Sequence, residues 1–186
     1  MADATAATLP DAYKEARNAI RHQAEIEKGV VRSASVMWTN VVEGKKKTAV
    51  FEPLIDQRAL ALLNEVKAAY QLEASQRGVQ ATEPVISAEE RAASTLMIEP
   101  VAQGGRAGGG GGGGGRGGRG AGGPTLPEEY NAEFALLLNK GMSVLQVRDF
   151  LSGEFTPLAL ADVMTVIKAR EASGSIKLTP KPGSKP

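Results

Sequence analysis

The 186-residue chain has no cysteine and a single histidine, His22. These absences argue against thiol catalysis, zinc-finger chemistry, disulfide scaffolds and His-based triads. Aromatic residues make up only 4% of the sequence, and Trp38 is its one tryptophan. No stretch approaches the ~20 consecutive apolar residues that a membrane-crossing helix requires. There is almost no net charge either: 22 basic residues stand against 21 acidic ones. Nothing global would draw the chain to nucleic acid or anionic lipid.

Charge is uneven by region. Residues 1–100 carry 12 Lys and Arg against 14 Asp and Glu. Residues 101–123 hold only Arg106, Arg116 and Arg119, and residues 124–186 carry seven of each sign. The start, Met1 to Thr5, has neither the basic residues nor the apolar run of a signal peptide, so a cytoplasmic protein is the expectation.

Glycine is abundant in one place: 15 of the 22 glycines fall within residues 101–123. Such a composition cannot bury enough apolar surface to offset the entropy of ordering it. The expected organisation is therefore an α+β domain over 1–100, a Gly/Arg-rich flexible linker over 101–123, a small helical domain over 124–178 and a disordered basic tail over 179–186. The glycine run has neither the strand-to-helix context of a dinucleotide fingerprint nor the terminal Gly-Lys-Ser/Thr of a phosphate loop.

Within the first domain, Pro10 to Lys28 reads as a helix stopped by Gly29, with Ala12, Ala16, Ala19, Ile20 and Ile26 on one side. Residues 30–39 are rich in β-branched and aromatic side chains, and residues 47–51 offer a partner strand ended by Pro53. A β-hairpin with Lys45, Lys46 and Lys47 at its turn is the economical reading, with Trp38 on its core face. A second long helix runs from Asp56 to Arg77 and stops at Gly78, which makes the domain helix–hairpin–helix. Ser87 and Glu90 have capping-box spacing for a short helix through Met97.

After the glycine run, Pro124 to Glu129 opens a helix, with a polar cap, an early proline and two early acids, that Gly141 ends. Ser143, with Gln146 in the reciprocal capping position, starts a second helix through Leu151. A third begins at Thr156-Pro157, carries Leu160, Val163, Met164 and Ile167 inward, and ends at Gly174. Residues 175–178 form a short strand. In this helix order residues 127–178 resemble the helix-turn-helix or winged-helix family, which implies a third helix whose early residues enter the DNA major groove. Those positions are Pro157, Leu158, Ala159, Leu160, Ala161 and Asp162. None presents a bidentate donor, so a tri-helical module that packs on protein is the expected use.

The candidate interaction residues are Trp38, Lys45, Lys46 and Lys47, together with Arg106, Arg116 and Arg119. The Arg-Gly segment resembles those of RNA-associated proteins, but no aromatic is interleaved to stack on bases. The lysines read as a solvated turn or as a docking point for an anionic group. Exposure of Trp38 beside Met37 or Phe51 would make a partner interface the leading idea. No cofactor or metal is expected, because the acidic residues are scattered and His22 lacks co-ligands. The functional expectation is a non-catalytic adaptor, accessory subunit or assembly factor acting through protein partners. Two alternatives are a nucleic-acid-associated protein, with weak binding through the helical module and Arg/Gly segment, and a non-catalytic portion of a larger hydrolase or complex.

Overall fold

The computed structural model describes residue 1, residues 3–101 and residues 123–183. Arg106, Arg116, Arg119 and all but the two end residues of the expected 101–123 linker lie outside these, as do residues 184–186. The described residues are mostly helical with one small antiparallel sheet, an α+β composition. It divides into two units: Met1–Ile86 with Ser152–Pro157, and Ser87–Leu151 with Leu158–Pro186.

The first unit is built on two long helices, α1 (Leu9–Ala34) and α3 (Phe51–Gln76), joined through a 3-10 turn (Ser35–Met37) and a short helix, α2 (Val41–Thr48). The expected β-hairpin is absent. Helix α1 passes through Gly29, where nothing lies within 4 Å of an added Cβ, and continues for five more residues. The β-branched residues 30–36 are thus taken up mainly by α1, because packing against α3 outweighs a weak local preference for strand. Pro53 falls in the first turn of α3, where its missing N–H has no helical partner to lose.

The two long helices run antiparallel, as their cross-contacts require. Arg32 Nε and Nη2 donate to Glu52 at 3.0 and 2.7 Å, and Lys28 Nζ lies 3.0 Å from Asp56. About four turns further along, the Tyr13 and Tyr70 rings stack with centroids 4.3 Å apart and 3° between planes. Tyr70 also donates its hydroxyl to Thr82 O at 2.9 Å and accepts from Thr82 N at 3.2 Å, fastening the segment that follows α3. Among the described residues of this unit, Leu9, Tyr13, Tyr70 and Ala74 form a buried apolar cluster at the end of the hairpin away from α2. Gly78, at φ +68°, ends α3 as expected.

The second unit contains α4 (Ala88–Thr95), β1 (Leu96–Pro100), α5 (Asn131–Leu137), α6 (Val144–Glu154, whose last three residues group with the first unit), α7 (Leu160–Ala172) and β2 (Ile176–Pro180). Both expected capping boxes form: Ser87 with Glu90, and Ser143 with Gln146. Gly174 follows the C-cap of α7 with φ of +73°, as expected, whereas α5 already ends at Leu137 and a turn carries the chain on to Gly141, φ +61°. Helix α7 starts three residues later than Pro157, so Leu158 and Ala159 are extended or capping residues rather than helical ones.

Sequence patterning missed β1. It pairs antiparallel with β2, Ile98 opposite Leu178 and Glu99 opposite Lys177, while Met97 bridges Ser143 on its other side. β1 therefore lies between the Ser143 bridge and β2. Residues 87–101 group with the helices that follow the glycine run, not with the domain that precedes it. The tail expected from residue 179 begins later. Thr179 and Pro180 belong to β2, and Lys181 N donates to Thr95 O at 2.7 Å. Ile98, Phe134, Leu137, Val144, Val147, Leu151, Val163 and Ile167 are fully buried at the centre of this unit.

Candidate interaction surface

Four of the residues singled out in the sequence come together at the α2 end of the helical hairpin. Asn40 caps α2, its side-chain oxygen accepting from Val42 N at 3.1 Å and Glu43 N at 3.2 Å. That cap directs the following eight residues into helix and places Lys45, Lys46 and Lys47 in the last turn, where cations complement the helix dipole. The lysine run is thus a helix terminus, not the turn of a hairpin.

Trp38 departs from its expected core position: it is 42% exposed, and Met37 beside it is 86% exposed. Lys47 Nζ sits 4.5 Å from the centre of the Trp38 ring and 3.0 Å from Glu43. Gly44 makes this packing possible. A Cβ there would lie 2.5 Å from Ser35 O and 2.9 Å from the indole, so only glycine lets α2 cross so close to the turn before it. Ser35, buried under α2, donates to Arg32 O at 2.6 Å. Around this frame Val36, Val41, Val42, Val50 and Phe51 are also exposed. Asn40, followed at helical N3 spacing by Glu43 and then by lysines, was the sequence signal for this short helix.

The apolar surface continues down the hairpin. A groove of about 460 Å³ between α1 and α3 is lined by Ile26, Val30, Val31, Phe51, Leu54 and Ile55. Its next stretch, about 340 Å³, is lined by Ile20, Ala24, Ala59 and Leu62. Glu27 and Arg58 line both stretches. Two helices alone cannot cover their own apolar sides, which is why so much of this surface is left open.

Elsewhere the chemistry is sparse. His22 Nε2 lies 2.8 Å from Glu154 Oε2, and among the described residues no group of three or more His, Asp or Glu side chains could hold a metal ion. Also among the described residues, no helix is long and apolar enough to cross a membrane. In the second unit Arg148 is nearly buried and donates Nε to Leu158 O at 2.7 Å, which ties α6 to the start of α7. The exposed positions of α7 are Ala161, Asp162, Thr165, Lys168, Glu171 and Ala172. No protein-family model matches the chain, and neither does any curated protein or solved structure.

Proposed function

We propose that the protein is a non-catalytic adaptor, accessory subunit or assembly factor that works by holding protein partners. The observation that carries this reading is the open apolar groove along α1 and α3. It has the form that receives an amphipathic helix, with apolar anchors at its floor and charges at its rim. Arg58 has no ion pair among the described residues, and Glu27 accepts only from Gln23, at 3.3 Å. A partner helix with an apolar stripe flanked by one acidic and one basic residue would satisfy both.

The second unit supports the same reading. A β1 strand held between the Ser143 bridge and β2, beside three helices, fits the winged-helix resemblance as a scaffold. The one cation on the outward side of α7, Lys168, offers little to a phosphate backbone.

The test is the native mass of the chain in extracts of its own cells, compared with its own 19.4 kDa. The expected result is a defined complex that Leu54→Asp releases and Gln57→Asp, on the same helix but outside the groove, does not. A chain that is monomeric and unattached under all conditions would remove the proposal.

A further inference from the structure

We propose that the α2 end of the hairpin, residues 35–51, docks on an anionic bilayer surface. In this arrangement Val36, Met37 and Trp38 enter the headgroup layer while Lys45 and Lys46 contact lipid phosphates. This goes beyond the adaptor reading, and of these residues only Phe51 also lines the groove described above.

Three observations on this tip converge. The first is apolar exposure on a projecting turn: Val36 is 67% exposed and Val42 65%, beside the still more exposed Met37. These side chains stand on and just after a short turn and are not among those lining the groove between α1 and α3. A fluid interface can accept such a shape without matching it side chain by side chain. The second is the character of the aromatic. Trp38 is half-exposed with a cation over its ring, the amphipathic setting in which indoles lie at the level of lipid headgroups.

The third observation is charge polarity. Residues 35–51 carry three lysines and one glutamate, a net of +2. The rest of residues 1–86 carries eight basic and ten acidic residues, a net of −2. Lys47 is paired with Glu43, but Lys45 and Lys46 have no ion pair among the described residues. A hairpin so polarised is turned tip-first by a negatively charged plane. An acidic protein would satisfy the lysines and leave the projecting valines and methionine in water. An anionic bilayer satisfies both.

Trp38 is the chain's only tryptophan, so its emission reports this site alone. The intact protein is mixed with vesicles of phosphatidylcholine, with or without about a third phosphatidylserine, at low salt. The expected result is a blue shift and co-sedimentation with the serine-containing vesicles only, reversed in 0.5 M salt, and quenching of Trp38 by lipids brominated near the headgroup. Lys45→Gln with Lys46→Gln lowers partitioning about 25-fold, at roughly fivefold per lysine. Met37→Ser weakens it with no change in helix content. Absence of both shift and sedimentation would overturn the proposal, as would binding indifferent to these substitutions. A blue shift that follows protein concentration without vesicles would reassign the tip to self-association. Neither result bears on the native-mass test of the groove.

Discussion

Lys47 and Trp38 are joined through a glycine: the ammonium lies over the indole because Gly44, one turn earlier in α2, lets the helix press against the preceding turn. Gly44→Ala introduces a methyl where Ser35 O and the indole already stand, and backbone cannot yield as a flexible side chain would. The expected cost is about 1–3 kcal/mol. Urea unfolding followed by Trp38 emission measures it, and an unchanged midpoint would contradict the packing described.

At the other end of the same hairpin, Tyr70 both donates to and accepts from Thr82. Tyr70→Phe keeps the stack on Tyr13 and leaves both backbone groups of Thr82 without that partner. A loss of about 1–3 kcal/mol is expected. Tyr13→Ala removes the stack itself, in a cluster of only four buried residues, and lowers the thermal midpoint further.

The pH dependence of the first unit has a definite sign. The hydrogen bond from Arg32, helped by its charge, holds the Glu52 carboxyl below its ordinary value of 4.5, and Lys67 does the same for Glu83. A carboxyl whose pKa is lower folded than unfolded stabilises the fold above its unfolded pKa. That contribution is lost as pH falls through the folded value. Glu52→Gln is therefore less stable than the parent at neutral pH, and the gap closes as the pH drops below about 4.5. Denaturant midpoints at pH 7 and pH 3 test this. A gap that widens in acid would refute it.

In the second unit, Phe134 is fully buried with the Arg170 guanidinium 5.3 Å from its ring centre. Phe134→Ala should cost about 3–5 kcal/mol. Ser143→Ala removes the α6 cap at a buried position and should cost about 0.5–2 kcal/mol. By contrast Leu136→Ala, on the exposed side of α5, should fall within about 0.5 kcal/mol of the parent. Calorimetry on the three variants gives the order directly.

Local signals were readable in the sequence wherever the physics is local. The capping boxes at Ser87 and Ser143 and the stops at Gly78 and Gly174 each depend on a few neighbouring residues, and each forms. The stretch from Val30 to Phe51 favours a hairpin by its β-branched content, but that is a weak preference. Contact with α3, some twenty residues on, decides it otherwise. β1 was lost for a related reason: its partner strand lies about 80 residues away, and five residues ending in proline carry no period of their own. Trp38 and the three lysines were singled out individually. Their meeting on one turn depends on the Asn40 cap and the clearance at Gly44, and the second of these exists only in three dimensions.

The β1–β2 ladder ties together residues on either side of the glycine run, and this makes the second unit divisible. A polypeptide starting at Pro124 lacks the strand that carries Ile98 and exposes a bare edge on β2. It should be poorly folded alone. Supplied separately, residues 1–101 would restore that strand by complementation, with Ile98 as the plug and the Glu99–Thr179 hydrogen bond of 2.7 Å beside it. The covalent link through the glycines raises the effective concentration of one strand for the other without having to specify how they pair.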